Sequence, residues 1–143
     1  FETIAINLEL TNKRSVNIIA VYKPPNRRTL EADVAALFPG NIPTLAIGDF
    51  NSKNTIWGCS SNNPSGIRLY EYISNHAIQV TAPIEPTHYP YRREHRPDIL
   101  DICLSKNFSA PIYQTVLPEL DSDHLPVLLT FESTPLVTQP FPK

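Results

Sequence analysis

The chain has 143 residues, of which 41% are hydrophobic and 18% charged, and its formal net charge is −2 at pH 7. This balance predicts one globular domain with a core, and it excludes a disordered chain or a strongly basic nucleic-acid arm. Two cysteines are too few for a secreted disulfide framework, so a reduced intracellular protein is favoured. We expect no membrane partner, because no signal peptide is visible and no apolar run reaches about 18 residues.

The first part of the chain predicts two strands and a helix. The strands, over Thr3–Leu10 and Val16–Tyr22, are joined by a polar hairpin loop. The second is apolar on both faces, as expected of an interior strand, and Pro24-Pro25 ends it. Thr29 then predicts the N-cap of a helix that ends at about Phe38, because acidic residues would occupy its first turn.

A third strand, predicted over Pro43–Ile47, leads into a Gly-Asp-Phe-Asn corner. Side chains alternate along an extended chain, so Asp49 and Asn51 are expected on one side and Phe50 inside the protein. The glycine would let the backbone approach another segment closely. Such an oxygen-rich corner suits a hard cation or a phosphate, although the same two residues could simply cap the following loop.

The rest of the chain predicts a second helix and four more strands. The helix is expected over Gly66–His76, with Asn63-Pro64 as its start. The strands are expected over Ala77–Thr81, Ile99–Leu104, Ile112–Val116 and Leu125–Phe131. Helices inserted among more numerous strands indicate an α/β layered sandwich. We expect one domain over residues 1–132 and a proline-rich tail or linker over residues 133–143.

A histidine and several carboxylates flank the later strands. His124 directly precedes the last strand, and its pKa near neutrality would let it act as a base or as a cation that holds a phosphate. A lone histidine there is more often a surface residue, but a carboxylate on a neighbouring strand would make a dyad. Asp98 and Asp101 compete for that role. Asp101 is favoured, because inside an apolar strand it needs a partner, whereas Asp98 at the loop end could be solvated.

Two other features have a structural and a functional interpretation. Tyr22 is either an amphipathic residue at a sheet edge or a phenol aimed at a phosphate. The loop from Thr87 to Arg96 mixes basic and aromatic residues, which suits phosphate contacts with base stacking. A solvated proline-rich loop is the alternative, and composition alone slightly favours it. Trp57 is expected to anchor the core or a loop.

Four motifs follow one another along the chain: Tyr22-Lys23-Pro24-Pro25, Gly48-Asp49-Phe50-Asn51, Asp98-Ile99-Leu100-Asp101-Ile102 and Ser122-Asp123-His124-Leu125-Pro126. In this order they resemble the endonuclease/exonuclease/phosphatase superfamily. Within it the chain looks most like the apurinic-endonuclease-like nuclease domain of non-LTR retrotransposons, in particular the jockey-like group. The resemblance extends from about Ile4 to Phe131.

The resemblance implies a fold, a reaction and partners. The fold would be a four-layered α/β sandwich, partial here because its N-terminal strands are missing. The reaction would be Mg²⁺-dependent nicking of target DNA by phosphodiester hydrolysis, with Mn²⁺ as a possible substitute. The partners would be DNA and a downstream reverse transcriptase domain in the parent polyprotein, and the intact element is expected in the nucleus.

Carried over residue by residue, the resemblance also implies individual roles. Tyr22 would contact the scissile phosphate, and Asp49, oriented by Asn51, would activate water or protonate the leaving oxygen. His124 would hold the phosphate or act as base, oriented by Asp101. The implied metal ligands are Asp123 and Asp49, and the implied DNA contacts are Thr87, Tyr89, Tyr91, Arg92, Arg93 and Arg96.

The chain departs from the family pattern at important places. The family's N-terminal Asn and metal-binding Glu have no counterpart, and Asn54 stands where relatives often have His. We therefore expect the C-terminal part of a nuclease domain that is nearly inactive by itself. Two alternatives are a superfamily phosphoesterase that acts on small phosphoesters and a non-catalytic, degenerate copy.

Overall fold

The computed structural model describes residues 1–10, 13–119 and 121–132. In chain order its elements are β1 (Glu2–Glu9), β2 (Ser15–Tyr22), α1 (Glu31–Ala36), β3 (Thr44–Asp49), α2 (Pro64–Asn75), β4 (Gln79–Thr81), β5 (Asp101–Lys106), β6 (Ile112–Val116) and β7 (Val127–Phe131), with a 3₁₀ turn at Thr55–Trp57 between β3 and α2. Every predicted strand and helix is present, with ends displaced by no more than two residues. The tail expected over residues 133–143 lies outside the described residues.

The strands form two sheets. The larger sheet has the order β1-β2-β3-β5-β4, and β6 pairs with β7 in a separate sheet. Only the β2–β3 pair is parallel among the described strands, and the crossover that such a pair requires contains α1. No helix among the described residues has the length and apolar character needed to cross a bilayer.

The larger sheet is covered on both faces, because its side chains alternate between them. The face that carries Ile19 and Ala46 packs against the helices through residues such as Leu69. The opposite face carries Leu45 and Cys103, which pack against partly buried residues of β6 and β7. Helices, large sheet and small sheet are three successive layers, in agreement with the α/β sandwich predicted from the sequence.

The edge strand β1 is not covered by the small sheet. Ile4 and Ile6 pair with Ala20 and Ile18 of β2 and therefore lie on the face that β6 and β7 cover elsewhere. They are 74% and 58% exposed, and Leu8 follows them on the same face. An apolar strip thus continues the inner face of the sheet into solvent.

The helix starts confirm one prediction and correct another. Asn63 caps α2 as expected, since its side-chain oxygen accepts a hydrogen bond from the backbone N–H of Gly66 at 2.7 Å. At α1 the predicted cap is wrong, because Leu30 occupies that position and no side chain caps the helix. Thr29 is buried instead, and its hydroxyl has no hydrogen-bond partner within the described ranges.

Gly48 lies where two strands approach each other most closely. Its φ is +146°, and an added Cβ would lie 2.0 Å from the carbonyl oxygen of Val21 on the neighbouring strand. No side chain fits that space, so the close approach expected at this glycine is confirmed. This contact occurs one residue before Asp49, and it therefore fixes where Asp49 lies along β2.

We expect Gly48→Ala to lower the free energy of unfolding by about 3 kcal/mol or more, because strain and overlap with backbone add. Gly40→Ala is the matched control: its φ is +66°, but nothing lies within 4 Å of the added Cβ. Strain alone should cost about 1 kcal/mol there. Urea unfolding, followed by the fluorescence of Trp57, measures both losses. Equal losses would show that the close contact with Val21 does not constrain the fold.

Candidate active site

Three predicted site residues lie side by side at one end of the large sheet. Tyr22 pairs with Asp49 in the β2–β3 register, and Asp49 pairs with Asp101 in the β3–β5 register. Residues paired in this way point to the same face, here the face toward β6 and β7. We call Tyr22, Asp49 and Asp101 the strand-end row.

Asp49 is held by Asn51 through two hydrogen bonds. The backbone N–H of Asn51 donates to Oδ1 of Asp49 and its side-chain amide donates to Oδ2, both at 2.8 Å. The same amide nitrogen donates to the carbonyl of Lys23 at 2.9 Å. Phe50 is fully buried, as predicted. The two polar side chains meet because Asn51 turns back with φ of 43°, and not by simple strand alternation.

His124 connects two carboxylates of the row. Its Nδ1 lies 3.0 Å from Oδ2 of Asp101, and its Nε2 lies 3.8 Å from Oδ2 of Asp49. With Nδ1–H donated to Asp101, Nε2 faces Asp49 and the open side of the row. The structure thus brings Asp101, and not Asp98, to the histidine.

The expectation that Asp98 is solvated is wrong. Its side chain is only 2% exposed and lies 3.1 Å from the ammonium group of Lys53. The backbone N–H and the hydroxyl of Ser60 donate to its two oxygens at 3.0 and 3.1 Å. Burial alone would raise the pKa of Asp98, but these bonds and the Lys53 charge hold it below its ordinary value. Asp98 therefore ties the loop after β3 to the sheet.

Thr87 does not lie on the surface, so its predicted contact with DNA is corrected. It is fully buried, and its hydroxyl oxygen accepts hydrogen bonds from the backbone N–H groups of Leu100 and Asp101 at 3.0 and 3.1 Å. Its carbonyl also accepts a bond from Leu125 at 2.8 Å. Thr87 thus positions the backbone on which Asp101 and His124 are carried.

His88 is a site residue that the sequence interpretation missed. Its ring lies 4.6 Å from that of His124 between centroids, and its Nε2 lies 3.6 Å from Oδ2 of Asp123. Its backbone forms single β-bridges with Asp98 and His124. The signal in the sequence was its place directly after Thr87, in a loop already marked for phosphate contacts.

The remaining loop residues lie beside the row and extend into solvent. The backbone N–H of Tyr89 donates to the carbonyl of Asp123 at 2.7 Å, which fixes the start of the loop against the site. Tyr89 is 43% exposed and Tyr91 is 85% exposed. The loop arginines predicted as DNA contacts are also exposed: Arg92, Arg93 and Arg96.

The site perturbs its ionisable groups in opposite directions. Burial raises the pKa of Asp49 to about 6, against the lowering effect of the hydrogen bond from Asn51. The hydrogen bond to Asp101 raises the pKa of His124 despite its burial. Burial and the charge of His124 lower the pKa of His88. The site therefore stabilises the cationic form of His124 beside a carboxyl group whose pKa is about 6.

The oxygen donors suit a hard cation but do not complete its shell. Both oxygens of Asp49 already accept bonds from Asn51, and Asp101 is bound to His124. Glu2 pairs with Tyr22 and lies two strand spacings from Asp49, about 10 Å. In the part of the chain that the structure describes, no three acidic, histidine or cysteine side chains form a metal-binding group.

The sequence matches those of retrotransposon proteins. Residues 16–128 match the family model described as Endonuclease-reverse transcriptase. The chain is 36% identical over 129 residues to the RNA-directed DNA polymerase from mobile element jockey of Drosophila melanogaster, a match that covers 88% of this chain and 14% of that protein. It is 33% identical over 128 residues to the probable RNA-directed DNA polymerase from transposon BS of the same species, covering 87% and 14%.

The fold matches a solved nuclease domain. The similar structure is the endonuclease domain of TRAS1, a telomere-specific non-LTR retrotransposon, with a TM-score of 0.74. The match covers 89% of this chain and 60% of that chain at 16% sequence identity, so it concerns the fold and not individual residues. The chain spans about 14% of the length of the curated relatives that it matches.

We expect Asp101→Asn to lower the pKa of His124, because the hydrogen bond to the carboxylate is the main cause of its elevation. A pH titration of the His124 imidazole by NMR measures the shift. Asp121→Asn removes an exposed neighbouring carboxylate and serves as the control. An unchanged pKa of His124 in Asp101→Asn would contradict the pairing.

The same pairing has a consequence for stability. Because the pKa of His124 is higher in the folded chain than its ordinary value of 6.5, the pairing stabilises fully below pH 6.5. This contribution is lost as the pH rises through the folded-state pKa. The stability difference between the wild-type chain and Asp101→Asn, measured by urea unfolding, should therefore shrink above that pH. A difference that grows with pH would contradict the assignment.

Proposed function

Since this chain belongs to the endonuclease-reverse transcriptase family, and so to the nuclease domains of jockey-like non-LTR retrotransposons, we propose that its site hydrolyses a phosphodiester bond of DNA. The observation that carries the proposal is the position of His124. It is held by Asp101 at 3.0 Å and presents Nε2 toward Asp49 at 3.8 Å. A phosphate entering at the row would meet a fixed cation beside a proton-accepting carboxylate.

The perturbed groups support a division of roles. Phosphodiester hydrolysis needs a water oxygen to bond to phosphorus, loss of a water proton and departure of the ester oxygen with a proton. Asp49, with its pKa raised to about 6, accepts the water proton near neutral pH. His124, whose pKa is raised, offsets the phosphate charge and donates a proton to the departing oxygen.

Tyr22 and the loop after Thr87 supply binding in this proposal. Tyr22 is 44% exposed and pairs with Asp49, so its phenol can donate a hydrogen bond to a phosphate oxygen there. Tyr91 and the arginines after it are exposed in the loop whose first residues contact the site, where a ligand larger than a small phosphoester can meet them. Stacking with charge pairing favours DNA over a small substrate.

Magnesium, with manganese as a substitute, belongs to the proposal as a cofactor of the parent polypeptide. When bound, such an ion would polarise the phosphate and lower the pKa of a bound water. Asp49 and Asp123 are the residues that would offer oxygens to the ion, and the side chain of Asp123 is 40% exposed. Because the described residues do not complete the shell, a further carboxylate has to come from elsewhere in the parent.

The exposed strip on β1 supports a larger parent domain. Ile4 and Ile6 continue the inner face of the large sheet without a covering layer. Exposure of this apolar area to water is unfavourable in free energy. We propose that additional strands of the parent cover them and bring the missing carboxylate. A reverse transcriptase downstream and a nuclear location of the intact element remain part of this proposal.

The test is nicking of supercoiled plasmid DNA in Mg²⁺ by the parent polypeptide. Asp49→Ala and His124→Ala should each lower the rate by at least about 100-fold, because each removes a group that moves protons in the reaction. His76→Ala, at the end of α2, is the matched control and should leave the rate unchanged. Undiminished nicking by either site variant would overturn the assignment.

The same assay, with phosphoester turnover and calorimetry beside it, separates the alternatives. The 143-residue chain alone should nick near the background rate in Mg²⁺, since its metal shell is incomplete. Full Mg²⁺-dependent nicking by the chain alone would contradict that part of the proposal. Faster turnover of a soluble phosphoester than of plasmid DNA would favour the small-substrate alternative. Calorimetric titration that detects neither Mg²⁺ nor DNA binding would favour a degenerate copy.

A further inference from the structure

A groove with three arginines lies beside the strand-end row, on the side away from the loop from Thr87 to Arg96. We call this loop the Thr87 loop. The groove has a volume of about 380 Å³. Its walls are the loop after β2 and the first turn of α2, with these lining residues: Pro25, Asn26, Arg27, Arg28, Thr29, Asn63, Pro64, Ser65 and Arg68. We call it the arginine groove. None of the predicted site residues lines it.

Both walls of the groove are hydrogen-bonded to the Asp49 corner. On the loop side, the buried ammonium group of Lys23 donates to the carbonyl of Arg27 at 2.9 Å, while the carbonyl of Lys23 accepts from Asn51. On the helix side, Asn63 donates to the carbonyl of Asn51 at 3.3 Å and accepts from the backbone of Lys53. Hydrogen bonds therefore connect both walls of the groove to the segment that holds Asp49.

The charges in the groove are available to a ligand. Arg27, Arg28 and Arg68 are exposed, and none forms an ion pair within 4.0 Å among residues 1–10, 13–119 and 121–132. The groove also contains the buried Thr29, whose hydroxyl lacks a partner in those ranges. The three exposed guanidinium groups can each form charge-assisted hydrogen bonds with a phosphate oxygen.

The positions of the arginines along the sheet indicate an extended ligand. The row runs from β2 to β5, and the arginine groove follows β2 whereas the Thr87 loop leads into β5. These two segments with α2 carry six of the seven arginines of the chain. The two strand spacings between the ends of the row, about 10 Å, equal about three base-pair steps of DNA. A DNA backbone that crosses the row would thus meet arginines at both ends.

We propose that the arginine groove binds backbone phosphates of DNA on one side of the bond that is cut, opposite the Thr87 loop. The inference rests on the proposed function, because it takes the row as the point where the phosphodiester lies. Contacts to phosphates position a duplex without reading its sequence. The groove therefore sets the direction in which DNA crosses the row and contributes to affinity for any DNA sequence.

The test compares two double variants that remove the same charge at opposite ends of β2. Arg27→Gln/Arg28→Gln changes the groove, and Lys13→Gln/Arg14→Gln changes the far end of the strand. Fluorescence anisotropy of a short labelled DNA duplex gives the affinity of the 143-residue chain over a series of salt concentrations. Each lost phosphate contact lowers the slope of log K against log salt by about one.

We expect Arg27→Gln/Arg28→Gln to bind DNA more weakly and to lower the slope by about two, and Arg68→Gln to lower it by about one more. The far-end variant should keep the wild-type slope. A slope unchanged by the groove variant, or lowered equally by both variants, would overturn the inference. Urea unfolding of each variant confirms that the exposed substitutions leave the fold intact.

The outcome is independent of catalysis. If Asp49→Ala and His124→Ala nicked normally in the parent while the groove variant bound DNA with the lowered salt slope, the proposed function would fail and the phosphate-binding role of the groove would stand. If those two variants lost nicking while the groove variant kept the wild-type salt slope, the proposed function would stand and the inference about the groove would fail.

Discussion

The backbone register of three neighbouring strands is the constraint on which the site depends. Tyr22, Asp49 and Asp101 are distant in sequence, yet pairing of β2 with β3 and of β3 with β5 sets them at one height and on one face. A shift of one residue in either pair would turn a site residue toward the helices. Gly48 fixes the first of these registers, because only glycine permits its contact with Val21.

Burial of the Asp49 carboxylate beside Asp101 has an electrostatic cost, and the charge of His124 offsets part of it. Between pH 3.8 and about 6, folded Asp49 keeps a proton that the unfolded chain has released. Ionisation of this group therefore lowers the free energy of unfolding by roughly 3 kcal/mol as the pH rises through that range. The cationic form of His124 is stabilised instead, mainly by its hydrogen bond to Asp101 and further by the charge of Asp49. Such opposed shifts are typical of sites that move protons.

Local patterns predicted the elements, whereas the three residues of the row were assigned to one site only through the resemblance to a known family, and the long-range contacts were not predicted. Alternating and apolar runs gave every strand, and the burial logic that favoured Asp101 over Asp98 as the partner of His124 agrees with the structure. The same logic failed for Asp98, because Lys53 and Ser60 reach it from a distant loop. Thr87 was mistaken for a surface residue since its hydroxyl serves backbone groups that only tertiary structure brings near.

The central claim is that this register-built row is where a phosphodiester binds. The most direct measurement is NMR of the ¹⁵N-labelled chain during addition of a short DNA duplex. The account predicts that the largest shift changes occur at Asp49, Asn51, Asp101 and His124, with smaller changes in the arginine groove and the Thr87 loop. Changes confined to β6 and β7, with none at the row, would contradict it.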